Sequence, residues 1–320
     1  MTAGVDGYIL EIAEKISSSL GGGLDLRTLR RLPRPVGKPL MEDETLAFFM
    51  DGASTAEDIV LLVSPKQFGE VVGEDIQCAR GAASLVDSSI GRHISKPVFQ
   101  GVHGNQTYAA FLRLSPLSRN RLVRQLQKVG AARRVVPWLC GLAEQSKQVR
   151  SDEAEYHHYF IRPLQSLASM SEIADPVRDL AGAMAKGLQQ EKPALFTVIQ
   201  HGDFWIGNVF FARRRWPDIN PFLGDFSIID WRGVWLDGYP GMDIVRFCVS
   251  IYKIGSKRSG RLIQQYRQAL GLSPDDMAVY IMAALGRLGM ELNHFPISAY
   301  AELCDEVFEC LLHHVLVARS

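Results

Sequence analysis

Between Val198 and Phe247 the chain reads VIQHGDFWIGNVFFARRRWPDINPFLGDFSIIDWRGVWLDGYPGMDIVRF, and its polar residues gather where apolar strands start or stop. His201 and Asp203 follow the apolar Val198-Ile199. Asn208 stands just before Val209-Phe210-Phe211-Ala212, and Asp230 just after Phe226-Ser227-Ile228-Ile229. The turn-rich Trp216-Pro217-Asp218-Ile219-Asn220-Pro221 between those two runs makes them the arms of a β-hairpin. Solvent-facing alternation does not account for two carboxylates and an amide at strand ends; they are groups delivered to a strand mouth, where chemistry is usually placed. A carboxylate within reach of a hydroxyl can take its proton. Hard oxygen donors of this kind suit Mg²⁺, which needs few protein ligands because phosphates and waters complete its octahedron. Asp225, in Gly224-Asp225-Phe226, precedes its strand and so stands at the wrong end to join them.

The spacing His-x-Asp-x-x-x-x-Asn resembles the catalytic loop of the protein-kinase-like phosphotransferases. The form it takes here, HGDFWIGN, then IIDW, then DGYPGMD, is similar to the aminoglycoside phosphotransferase and choline kinase superfamily rather than to the protein kinases. The resemblance implies that Asp203 is the catalytic base, that Asn208 and Asp230 hold Mg²⁺, and that Asp243 is a structural aspartate at a helix start. His201 then supports the loop by hydrogen bonding. The implied cofactors are ATP (or GTP) and Mg²⁺, and the implied reaction is transfer of the γ-phosphate to a hydroxyl of a small molecule, whether antibiotic, amino alcohol or sugar-like compound. Positioning and charge neutralisation supply most of the catalysis in that chemistry.

Upstream lie the elements of a smaller lobe. An amphipathic helix over Val5 to Leu20 ends at Gly21-Gly22-Gly23, and Leu24 to Leu32 follows as an extended run. Leu46-Ala47-Phe48-Phe49-Met50 and Ile59-Val60-Leu61-Leu62-Val63 form a hairpin, then come a helix over Val71 to Leu85 and strands at Pro97 to Val102 and Thr107 to Leu114. That order matches a kinase-like N-terminal lobe, with one departure: Leu62 stands where the family carries a phosphate-pairing lysine. Lys66, just past Ser64-Pro65, is the candidate ammonium, with Glu74 to orient it. Arg34-Pro35-Val36-Gly37-Lys38 is the candidate phosphate loop. The resemblance further implies that backbone groups of Phe111, Leu112, Arg113 and Leu114 meet the adenine edge at an inter-lobe hinge. The departure supports a second possibility, a kinase-like nucleotide-binding or scaffolding protein with little transferase activity.

From Ser118 onward the pattern is mainly helical: Arg119 to Val129, Ala131 to Gln148 with an interruption at Pro137, Asp152 to Leu167, Ile173 to Gln190, Met242 to Ile254, Ser259 to Leu270, Pro274 to Leu292 and Ala299 to Val317. Trp205, Trp231 and Trp235 crowd the motif, either as an aromatic wall beside a substrate or as core. Arg232 either reads an anionic acceptor through its planar fork or pairs with a nearby carboxylate. Asp237 is a turn residue or a substrate contact. The fold class expected is α+β, a protein-kinase-like two-lobed fold with a small N-terminal antiparallel sheet plus helix and a larger, mainly helical C-terminal lobe. Residues 1–116 would form the nucleotide-binding lobe with its leading helix, and residues 117–320 the catalytic and substrate-binding lobe.

Composition limits the alternatives. Lys plus Arg and Asp plus Glu both number 35 in the 320 residues, so no net field draws the chain to nucleic acid. The 5 cysteines are scattered without metal-ligand spacing, which fits buried thiols in a reducing compartment. No run approaches roughly 18 uncharged apolar residues, so no membrane span is expected. A cytoplasmic chain with a small-molecule hydroxyl acceptor is the expectation.

Overall fold

A computed structural model describes residues 6–32, 45–52, 57–212, 224–292 and 295–316. Helix α1 (Gly7–Ser19) leads into β1 (Leu24–Arg31), β2 (Leu46–Gly52) and β3 (Ile59–Val63). Helices α2 (Val71–Ser84) and α3 (Ser88–Gly91) follow, then β4 (Phe99–His103) and β5 (Gln106–Leu112). The five strands make one antiparallel sheet in the order β1-β2-β3-β5-β4. Strand alternation gives the sheet two faces. Ile59, Leu61 and Val63 of β3 are buried with Ile9, Ile12, Ala13 and Ile16 of α1, so α1 covers the outer face. Leu62 points the other way, with Ala109 and Phe111, toward Val72 and Ile76 of α2. The candidate phosphate loop at 34–38 and the connection Arg213 to Pro221 lie outside the described residues.

The remainder holds short strand β6 (Leu114–Ser115), the long α4 (Arg121–Gln145), β7 (Gln148–Val149), α5 (Glu153–Tyr156), a π-helical turn at His157–Ile161, α6 (Arg162–Ser169) and α7 (Asp175–Gln190). Strands β8 (Phe196–Gln200), β9 (Val209–Ala212), β10 (Phe226–Ile228) and β11 (Trp235–Gly238) come next. Then follow α8 (Met242–Ile251), α9 (Lys257–Ala269), α10 (Pro274–Met290) and α11 (Ile297–Leu311), the last running into a π turn at Leu312–Leu316. Ser273 caps α10 through a capping box with Asp276. Every residue from Met277 to Gly286 of α10 is buried, which makes it the central helix of the larger core.

Pro137 does not interrupt α4, contrary to the sequence expectation. The ring removes one N–H, but Val135, Val136, Trp138 and Leu139 on either side are all buried, and the Trp138 indole N–H donates to the Ile90 carbonyl at 3.0 Å. Tertiary packing carries the helix through its weak point. The stretch 93–95 ties the two parts together: the Ile228 N–H donates to the His93 carbonyl at 2.7 Å, and the Ser95 N–H to the Ile228 carbonyl at 2.9 Å. The architecture is the expected α+β arrangement of a small antiparallel sheet with its helix and a larger helical part.

Candidate active site

Register places the metal candidates. Strands β9 and β10 pair antiparallel with Val209 opposite Ile228, so the residues just beyond, Asn208 and Ile229, face each other, and the Ile229 N–H donates to the Asn208 carbonyl at 3.1 Å. Asn208 and Asp230 therefore share the open end of one hairpin. Asp225 lies at the opposite end, where its backbone carbonyl accepts from the Ala212 N–H. The Asn208 amide nitrogen donates to the Asp203 backbone carbonyl at 2.9 Å and to its Oδ2 at 3.3 Å. That fixes Asn208 with its nitrogen committed to Asp203 and its oxygen as the remaining donor to a cation. Asp230 is the one non-glycine among the described residues with a positive φ, 64°. Such backbone strain persists only where surrounding structure enforces it, and it concentrates at functional sites.

His201 lies beneath this loop, fully buried. Its Nε2–H donates to the Ile229 carbonyl at 3.0 Å, and its ring meets Trp231 edge-on at 4.8 Å, so it braces both residues flanking Asp230. Burial pushes the imidazole down to about 4, against the favourable pull of the Ile229 carbonyl and Asp203. It is a neutral brace. Asp243, at the start of α8, accepts the N–H groups of His201 (2.7 Å) and Gly202 (3.2 Å). Burial raises its carboxyl to about 7 although those N–H bonds and Arg246 favour the charged form. Gly202 adopts φ +84°, and a Cβ there would collide with the Gly233 carbonyl, so only glycine lets the loop at 201–208 lie this close to the loop that follows β10.

Other expected residues are placed differently. The Lys66 ammonium sits 5.5 Å over the Tyr8 ring of α1, on the outer side of the sheet, and makes no ion pair with Glu74. Glu74 is exposed because Val72 and Ile76 turn the apolar face of α2 to the sheet. Its neighbour Asp75 is the carboxylate that reaches the site, accepting the Trp231 N–H at 2.5 Å with a further bond from the Arg232 backbone. Burial raises the Asp75 pKa despite those two bonds. Arg232 is exposed on the loop that follows β10, close enough to favour the Asp75 charge.

Of the hinge residues, Phe111 and Leu112 belong to the β3–β5 ladder and Leu114 pairs with Ala212 of β9. The Arg113 N–H is already donated to the Asp58 carbonyl at 2.8 Å. Its guanidinium pairs with the Asp58 carboxylate at 3.0 Å and lies 4.2 Å over the Phe49 ring. That N–H is spent on the fold rather than offered to an adenine edge.

Trp231 is core, 1% exposed, with its indole N–H on the Ile228 carbonyl. Trp235 lies under Arg287 at 4.6 Å. Asp237 is bound by the Tyr159 hydroxyl at 2.8 Å and by Arg287 at 3.0 Å. Burial pushes Asp237 up, but those two partners outweigh it and hold the carboxyl below the usual range. Both residues are thus engaged in a structural network instead of standing open to a substrate. Trp205 is 38% exposed and folds over Gly207.

Two features escaped the sequence. Arg246 of α8 meets Asp203 Oδ1 at 2.5 Å, and it lines an open cavity of about 430 Å³ with Phe295, Ala299, Glu302, Leu303 and Glu306. A signal for Arg246 was present: in the apolar run MDIVRFCVSI the polar residues recur at 243, 246 and 250, one face of a helix. Among the described residues no cluster of three His, Cys, Asp or Glu side chains forms a ready-made metal cage. The donor set is instead carboxylates plus one amide, all hard oxygens, which fits Mg²⁺ completed by phosphates and water.

The model of the phosphotransferase enzyme family matches residues 75–280, well over half of the chain, with Asp203, Asn208, Asp230, Asp243 and Arg246 inside the match. The chain belongs to that family. Its family makes it a kinase-type phosphotransferase. No curated protein matches the chain. Among solved structures, a putative fructosamine-3-kinase from Haemophilus somnus 129PT is 12% identical over 92% of this chain and 96% of that one, with a TM-score of 0.50, a likeness of fold. A choline/ethanolamine kinase family protein from Mesorhizobium loti is 15% identical over 97% and 98%, at TM-score 0.49. A spectinomycin phosphotransferase solved with ADP and spectinomycin is 12% identical over 92% and 97%, at TM-score 0.44.

Proposed function

We propose that this member of the phosphotransferase family is an ATP- (or GTP-) and Mg²⁺-dependent O-phosphotransferase acting on a small hydroxylated molecule. The observation that carries the proposal is the clasp between Asn208 and Asp203 at the open end of the hairpin that also ends in Asp230. In this reading one carboxylate meets the incoming hydroxyl, and Asn208 and Asp230 are the oxygen donors to a cation. Residues 1–116 serve as the nucleotide lobe and residues 117–320 as the catalytic and acceptor lobe.

Asp203 receives the acceptor proton late in the transfer, when the hydroxyl has become acidic, so its placement matters more than its basicity. Asn208 and Asp230 would hold Mg²⁺, which when bound neutralises charge on the transferring phosphoryl group. His201, Gly202 and Asp243 keep the two loops in contact. The cavity beside Arg246 is the natural seat of the acceptor. Glu302 and Glu306, one helical turn apart on its wall, favour an acceptor that carries a cationic amine beside its hydroxyl.

The test is Mg²⁺-ATP turnover over a panel of amino alcohols, amino sugars and aminoglycosides, comparing the wild type with Asp203→Asn. Loss of general-base assistance predicts a fall of about 10²- to 10⁴-fold in kcat; an unchanged rate in the variant removes Asp203 from its role. Leu62 on the cleft face, with Lys66 turned away, favours a second reading, a nucleotide-binding protein with little transfer activity. A melting temperature raised by Mg²⁺-ATP with no product from any acceptor would select it.

A further inference from the structure

Helix α8 grips the catalytic loop residue by residue, in the loop's own order. Asp243 takes the N–H groups of 201 and 202, Arg246 the carboxylate of Asp203, Phe247 the ring of Phe204 at 5.7 Å, and Ser250 the N–H of Ile206 at 2.9 Å. Three of these four serve backbone or packing and are buried or nearly so. Arg246 differs: it alone holds a side chain assigned to the chemistry, and it alone lines the cavity.

We propose that Arg246 is the positioning residue of the reaction, holding the Asp203 carboxylate in the plane from which it meets a hydroxyl seated in the adjoining cavity. This rests on the reading of Asp203 as the base. The terminal torsion of an aspartate is broad and two-fold, so an untethered carboxylate turns easily. Here Oδ1 is held by a charge-assisted bond of 2.5 Å from Arg246 and Oδ2 by the Asn208 amide at 3.3 Å, and two tethers fix the plane. The guanidinium is itself held by its place on a buried helix: Asp243, Ile244, Val245 and Phe247 around it are all buried. Because an arginine stays charged throughout, the tether does not come and go with pH. With both ends partly open to water, at 23% and 48% exposure, the pair adds a small coupling to stability, enough for a double-variant cycle to read. Its value lies in direction. A guanidinium that lines the cavity beside Asp203 predicts an effect on the rate of transfer and not on nucleotide binding.

The experiment uses the full chain, Mg²⁺-ATP, and water as the acceptor, so that no acceptor need be known. Arg246→Ala should lower kcat roughly 10- to 100-fold, the cost of a small misplacement of a reacting group, while KM for Mg²⁺-ATP stays within about twofold. Arg246→Lys should recover part of the rate, and millimolar guanidinium should rescue Arg246→Ala but not Asp203→Ala. A kcat equal to wild type in Arg246→Ala, a loss confined to KM for the nucleotide, or a loss without rescue by either route overturns the proposal. A thermal-melting cycle over Arg246→Ala, Asp203→Ala and the double variant tests the pair without catalysis: non-additive shifts support it and additive shifts overturn it. Wild-type protein that hydrolyses no nucleotide would sink the phosphotransfer reading, and the melting cycle would then decide the tether on its own.

Discussion

His201 and Asp243 sit back to back under the catalytic loop, and their titrations oppose each other. The unfolded chain protonates His201 near the usual 6.5 and the folded chain not until about 4, so between those values the unfolded state holds more protons and acid weakens the fold. Asp243 runs the other way: its carboxyl keeps its proton to about 7 when folded, so stability falls as pH rises toward that value. The contributions of these two groups to stability should therefore largely cancel between pH 4 and 7. His201→Gln removes one side of the balance. Its stability deficit relative to wild type, measured by urea denaturation, should be largest near pH 7 and shrink by on the order of 3 kcal/mol on descent to pH 4. A constant deficit across that range would show that His201 does not titrate as buried. At the same scale, Leu62 and Lys66 show what a single residue hides. The missing cation was legible as a leucine in a strand, but the destination of Lys66, on Tyr8 across the sheet, depends on α1 and has no local sign.

Elements divide by how local their causes are. The β9–β10 hairpin was legible because alternation, turn residues and end-placed polar groups agree, and its register then put Asn208 beside Ile229 and Asp230 at the same end. Helix α4 was misjudged at Pro137 because proline's penalty is local while the burial of Val136 and Trp138 that overrides it is not. On α2 the choice between Glu74 and Asp75 turns on about 100° of helix rotation, which adjacent acidic residues leave open until the sheet fixes the apolar face. The catalytic loop offers a prediction at this scale. Gly202→Ala forces a Cβ against the Gly233 carbonyl at a left-handed φ, so the loop must lift from the metal loop. The cost should be about 1–3 kcal/mol in unfolding free energy, accompanied by a loss of Mg²⁺-ATP turnover beyond what the stability change explains. An alanine variant of full activity would show that the close approach is not needed.

At the scale of the whole molecule, helix α1 is a stabilising layer on the face of the sheet turned away from the site. Ile12 is fully buried there. Ile12→Ala should cost about 2–5 kcal/mol by cavity formation, a large share of the stability of a typical domain, yet leave turnover at low temperature close to wild type. Melting curves and rates on the same preparations would check it, and a rate that falls in step with stability would tie α1 to the site. On the other face, Asp75 fastens α2 to the Trp231 amide, immediately after the strained Asp230. With the second bond from the Arg232 backbone, that contact couples a 14-residue helix to the loop that carries Asp230. A tilt of α2, from whatever presses on its exposed side, would reach Asp230 through this joint, which makes the helix packed on the near face of the small sheet a second handle on the same residues.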